Sequence, residues 1–174
     1  MCLFIKKGCD ITRAEKPIRG WKMILPVSKT EWAPIIMQGE SYKYNEVLQA
    51  KKTYNYLRLR LGLSTETKQL PLEHLEMSWY HFGSCTVYKK IDAGFHAARN
   101  WWGAFLLHIR YKWCPDELLN TKEEKRAMKL VPIIIPEGAE YCLGEDGEIV
   151  AVNMIVFRSK RCYYWYRIKK LLKK

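Results

Sequence analysis

Residues Ile149 to Phe157 form an apolar run broken only by Asn153. A strand with one wet face alternates between apolar and polar side chains, whereas a strand that is apolar at nearly every position is covered on both faces. The run from Glu148 to Phe157 therefore predicts one central strand in a sheet with material packed on each side. A second β-branched run, Val131 to Ile135, holds Pro132 and is followed by Pro136. It predicts a short strand, and Gly138 and Gly147 mark turns on either side of Tyr141.

Further strands are read from apolar stretches bounded by turn residues. Trp21 to Leu25 ends at Pro26, which cannot donate to a ladder, and Trp32 to Met37 is expected to pair with it. Trp79 to Phe82 and Cys85 to Tyr88 are strand-like on either side of Gly83. From Asn45 to Leu61, the residues Val47, Ala50, Tyr54, Leu57 and Leu61 recur at helical spacing, while Tyr56 to Leu61 alternates. The helix is the preferred reading. Gly62 to Pro71 is expected to be a connection and Leu72 to Met77 a short helix. Thr121 and Glu124 have the spacing of a capping box at the head of a solvated helix.

At 174 residues, with 48% hydrophobic and 13% aromatic residues, the chain has material for one good core. Thirty Lys and Arg against 18 Asp and Glu give a net charge of +12, which favours anionic partners. The six cysteines, Cys2, Cys9, Cys85, Cys114, Cys142 and Cys162, include no CxxC pair, so neither a zinc ribbon nor a redox dithiol is signalled. Glu73, His74, Glu76 and His81 match no usual ligand spacing, and no metal is expected. The apolar residues of Met1 to Ile5 precede Lys6 and Lys7, the reverse of the order in an export signal. No apolar run approaches the roughly 20 residues of a membrane-spanning helix. A cytoplasmic location with reduced thiols is the expectation.

Gly94-Phe95-His96 leads into Ala97 to His108, whose apolar residues cover most of a helix surface and predict packing on more than one side. A glycine at that place suits a backbone that must approach another strand or a ligand closely. His96 is expected at a strand-to-helix junction, facing either a cleft or its own backbone neighbours.

The order of Gly94-Phe95-His96, a helix, Ile135-Pro136-Glu137-Gly138-Ala139-Glu140-Tyr141 and Glu148-Ile149-Val150 resembles small proteins encoded by phages and mobile elements of gut bacteria. More distantly it is similar to the ADP-ribosyltransferase fold, in which a glycine-aromatic strand end leads into a helix and a late strand opens with a glutamate. That resemblance implies a ligand pocket along Gly94, Phe95, His96 and Glu148, with Glu148 as the glutamate that holds the nicotinamide ribose of NAD. This chain departs from the pattern in its first strand. Trp21 to Leu25 contains neither histidine nor arginine, and Gly83-Ser84-Cys85-Thr86 only partly matches the Ser-Thr-Ser strand of such enzymes.

The segment from Arg158 to Lys174 has eight basic residues, no acidic ones, and the run Tyr163-Tyr164-Trp165-Tyr166. Ile168, Leu171 and Leu172 follow Trp165 at helical spacing, which predicts a basic amphipathic helix or tail. Its candidate anion-binding residues are Arg158, Lys160, Arg161, Tyr163, Tyr164, Trp165, Tyr166, Arg167, Lys169 and Lys170.

These features together predict an α+β fold: a single domain over residues 1–157 with a mixed or mostly antiparallel sheet, then a basic aromatic segment over residues 158–174. The expected function is a non-catalytic binding protein, of phage or mobile-element origin by resemblance, that engages nucleic acid, a nucleotide signal or a host protein and interferes with a host system from the host cytoplasm. It would need no cofactor. The alternative implied by the resemblance is an ADP-ribosyltransferase-like enzyme using NAD.

Overall fold

The computed structural model describes residues 3–5, 10–34, 41–53, 69–82, 86–113, 126–144 and 147–172. The first half of the chain contributes β1 (Leu3–Ile5), β2 (Thr12–Arg13), β3 (Ile18–Pro26), β4 (Glu31–Ala33), β5 (Tyr42–Lys43), β6 (Val47–Gln49), β7 (Lys51–Thr53) and β8 (Gln69–Pro71). The second half contributes β9 (Glu76–Phe82), β10 (Thr86–Ala93), β11 (Phe95–Ala98), α1 (Trp101–Trp113), β12 (Lys129–Ile135), β13 (Glu140–Leu143), β14 (Glu148–Ala151), β15 (Asn153–Val156) and α2 (Lys160–Leu171). The fold is α+β, and every registered strand pair is antiparallel.

The main sheet runs β2-β13-β14-β11-β3-β12-β15-β6, with β4 and β5 continuing from the end of β3. A smaller sheet, β1-β10-β9, packs on it through Leu75 and Ile91, which meet Cys142, Val150 and Val152. β3 is the spine. It pairs along its length with β12, from Ile18 opposite Ile135 to Ile24 opposite Lys129. On its other edge Trp21 pairs with Ala98 of β11 and Leu25 with Ala33 of β4. Gly20 makes this possible, because a Cβ there would stand 2.8 Å from the carbonyl oxygen of Ala98.

One face of the sheet carries Ile24, Phe95, Ala97, Val131, Ile133, Ile135, Ile149, Ala151, Met154 and Val156, packed with Trp32, Leu48 and Leu72 into the largest core cluster. The opposite face carries Val150 and Cys142 under the small sheet, and Ile134, Ile155 and Phe157 under α2. Both faces are thus covered, as the apolar run from Ile149 requires.

That run is two strands rather than one. β14 lies between β11 and β13, whereas β15 lies between β12 and β6, so consecutive strands occupy places separated by β11, β3 and β12. Ile149 and Ala151 point into the main core, and so do Met154 and Val156, so the alternation slips by one residue at Val152–Asn153. Such a slip marks a corner, where one chain passes between two parts of a sheet that folds back on itself.

Three further expectations are corrected. The helix expected over residues 45–61 is absent from its described part: β6 and β7 occupy Val47–Thr53, with Leu48 and Ala50 inward and Val47 and Gln49 outward. Pairing of Leu48 with Met154 decides the matter, since a long-range ladder overrides weak helical spacing. Residues 54–68 lie outside the described residues. Gln69–Pro71, expected in a connection, is β8, paired with β7. Leu72 to Met77 is not a helix, because Leu72 donates its N–H to Ala50 at 2.7 Å and Glu76 opens β9. The capping box at Thr121 also lies outside the described residues.

The strand from Trp21 extends to Ile18–Pro26 and pairs with β4, the described part of the partner expected over Trp32 to Met37; strands cover Trp79–Phe82 and Thr86–Tyr88, and residues 35–37 and 83–85 lie outside the described residues. β11 continues through Ala98, so α1 begins later than Ala97, where the Asn100 side chain accepts from the Gly103 N–H at 2.6 Å. The expected packing of α1 on more than one side falls partly on side chains outside the described residues. The helix buries Ala104, and it exposes Trp102 and Leu106. Cys142 is buried and Cys162 half-buried.

Candidate functional site

β11 and β14 place His96 opposite Val150 and Glu148 opposite Ala98, so His96 and Glu148 are diagonal neighbours on one face. Their side chains meet, with His96 Nδ1 3.0 Å from Glu148 Oε1, and both are partly exposed. A carboxylate only accepts, so the imidazole donates from Nδ1 and a neutral ring keeps Nε2 as an acceptor. Such a pair has the form of an oriented general base.

Gly94 and Phe95, the other two expected pocket residues, do not join them. Phe95 alternates to the opposite face, where its ring meets Tyr42 edge-on at 5.9 Å inside the main core. Gly94 has φ +153°, and a Cβ there would stand 2.4 Å from Val150 Cγ1 and 2.9 Å from Leu75 Cδ2. The close approach predicted at this glycine is to a strand side chain. Gly94 and Phe95 are packing residues. Among the described residues, no group of three or more His, Cys, Asp and Glu is placed to hold a metal.

Lys22, which no motif singles out, reaches the main chain of this pair from the main-core face. It lies in the inward phase of β3 with Ile18, Gly20 and Ile24, opposite Val131. Its ammonium donates to the His96 carbonyl at 2.5 Å and lies 6.0 Å from the Trp32 ring centroid. Desolvation by the surrounding core lowers its pKa from the ordinary 10.5 to about 8, against the opposing pull of the Glu148 charge. The available signal was a lysine at an inward position of an apolar strand.

The second site is α2. Ser159 caps it, its hydroxyl accepting from the Cys162 N–H at 3.3 Å, and the helix then packs by one narrow side. Tyr163 is buried, edge-on to Phe157 at 5.5 Å, and Tyr166 lies 5.2 Å from the same ring. Arg19 of β3 donates to the Tyr163 hydroxyl. The Lys160 ammonium sits 5.3 Å from the Trp21 ring centroid. Tyr163, expected as a contact residue, is therefore an anchor.

The rest of α2 faces outward. Tyr164, Trp165 and Ile168 are about half exposed, Leu171 is 70% exposed and Leu172 81% exposed. Arg158, Lys160, Arg161, Arg167, Lys169 and Lys170 are exposed as well, and no acidic residue lies in the first turn. The exposed part of the segment is thus both cationic and apolar.

A third cluster is a structural clamp. Glu140 accepts from the Leu75 N–H at 3.1 Å, meets His74 Nδ1 at 2.8 Å and stands 3.6 Å from Arg13. Burial alone would raise the Glu140 pKa, but the bonds from His74 and Leu75 and the charges of His74 and Arg13 outweigh it and lower the value. Among the described residues no helix is long and apolar enough to cross a membrane. Comparison of the chain with protein-family models, curated proteins and solved structures finds no match.

Proposed function

We propose that this chain is a non-catalytic binding protein that engages an anionic partner through the outward face of α2. The observation that carries the reading is the docking of α2 by one side, through Cys162, Tyr163 and Tyr166, which leaves Arg161, Lys169 and Trp165 turned to solvent. A net charge of +12 adds long-range attraction to any polyanion. Nucleic acid, a nucleotide signal and an acidic host protein all have the required charge, and the resemblance to phage and mobile-element proteins supports interference with a host system.

The test is where the affinity resides. Binding to single-stranded RNA and to a heparin-like polyanion is measured across a salt series for the wild type, for Arg161 and Lys169 changed to Glu, and for Lys16 and Lys29 changed to Glu. The α2 variant is expected to lose affinity and salt dependence, and the second variant to keep most of both. About five phosphate contacts would give a log-log slope near −3.5 on single strands. Equal losses from the two variants would remove α2 from the reading.

A second reading is an ADP-ribosyltransferase-like enzyme. It is favoured by the position of Glu148, which opens β14 and bonds His96. Incubation with labelled NAD tests it: release of nicotinamide that is lost in Glu148→Gln with melting unchanged supports the enzyme, and the absence of turnover rejects it.

A further inference from the structure

We propose that the outward face of α2 lies in the plane of an anionic lipid surface, with its apolar stripe in the headgroup region and its cations on the acidic lipids. The proposal rests on the reading of α2 as the contact face and names its partner. At 100° per residue, Leu171, Tyr164, Ile168, Leu172 and Trp165 fall within a sector of about 120°, on the side away from Tyr163 and Tyr166. Arg161 lies inside that sector, Lys160 and Arg167 flank one edge, and Lys169 flanks the other. This is the arrangement of an interfacial helix: an aromatic and aliphatic stripe bordered by cations, in a helix too polar to insert across a bilayer.

The aliphatic residues distinguish lipid from nucleic acid. Phosphates and stacked bases would occupy the cations, Tyr164 and Trp165, and would leave Ile168, Leu171 and Leu172 in water. An anionic bilayer surface takes all five apolar side chains at once, and each basic residue near it adds electrostatic attraction. Arg161 can reach the headgroups from within the stripe by extending its apolar stem along it. The docked side keeps the stripe pointed outward, since Tyr163 is buried against Phe157 and held by Arg19. The usual amphipathic orientation is inverted here, as the helix turns more aliphatic surface to solvent than to its own protein.

The full-length chain is mixed with vesicles of phosphatidylcholine alone, with vesicles containing about a third phosphatidylserine, and with single-stranded RNA. Co-flotation with the serine-containing vesicles is expected, much less with neutral ones, and less still as salt rises beyond roughly 0.5 M, where charges a few ångströms apart are screened. Leu171→Glu with Leu172→Glu is expected to lower vesicle partition at least about tenfold. Both side chains are exposed, so the fold is retained, which circular dichroism checks. Leu106→Glu on α1 is expected to leave partition unchanged.

Loss of partition in Leu106→Glu but not in the α2 variant overturns the proposal. So does RNA binding without vesicle binding, which leaves the anionic-contact reading standing with nucleic acid as the partner. Binding to neither overturns both.

Discussion

The Lys22 ammonium donates to the main-chain carbonyl of His96, bridging β3 and β11 beside the one registered pair those strands share, Trp21 with Ala98. The folded chain releases the Lys22 proton near pH 8, whereas an unfolded chain holds it to about 10.5. Between those values the unfolded state binds the extra proton, so stability rises with pH, by up to about 1.4 kcal/mol per unit. Below pH 8 the charged head is held at a cost. Urea melts of the wild type and of Lys22→Met from pH 7 to 10.5 should show the wild type gaining on the variant across that window. A difference that stays constant with pH would mean that the ammonium is solvated as in water.

Glu140 gives the opposite edge of the pH profile. Its pKa is lowered, so the stability it contributes is present above the ordinary carboxylate value and is lost as the pH falls through the lower, folded value. Glu140→Gln weakens the bonds to Leu75 and His74 and is expected to cost about 1–3 kcal/mol at neutral pH. Acid titration of both proteins, followed by circular dichroism, should show that deficit shrinking below about pH 4. A deficit that persists at low pH would mean a packing effect.

Gly94→Ala should be far more damaging than its size suggests. The backbone φ of +153° strains any L side chain by roughly 1–3 kcal/mol, and the new methyl would collide with Val150. A loss of more than about 2 kcal/mol in thermal melts is expected, and a neutral effect would contradict the tight approach of β11 to the small sheet.

Tyr163→Ala removes the anchor of α2 and should cost roughly 3 kcal/mol, the usual scale for deleting a buried aromatic ring. Helical signal should fall together with the vesicle or polyanion binding. Tyr163→Phe keeps the ring and loses the Arg19 bond, so a cost of about 1 kcal/mol with binding retained is expected. If Tyr163→Ala leaves both signals intact, the helix is held by other contacts.

The strands that could be read from the sequence are those whose apolar residues are bounded by prolines or turns, such as β3 ending at Pro26 and β12 ending before Pro136. The stretch around Val47 could not, because its helical spacing is local while the bonds that make it a strand come from β15, over a hundred residues away. The α2 cations were legible as composition. Their arrangement was not, since only packing shows that Tyr163 turns inward while Leu171 and Leu172 turn outward. The His96–Glu148 contact follows from the register of β11 with β14, which no short motif encodes. Phe95 lies in the main core and not beside His96 for the same reason: adjacent residues of a strand face opposite ways.

The corner at Val152 makes the chain between Glu148 and Val156 a clasp. Its main-chain groups bind both sides of the turn, Val152 donating to Glu140 at 3.0 Å and accepting from Ala50 at 2.8 Å. Freeing β15 from β12 drags on β14, and so on the strand that carries His96. The two regions cannot open independently, and inserting or deleting one residue between Ala151 and Met154 would throw one whole half of the clasp onto the wrong face while leaving its composition untouched.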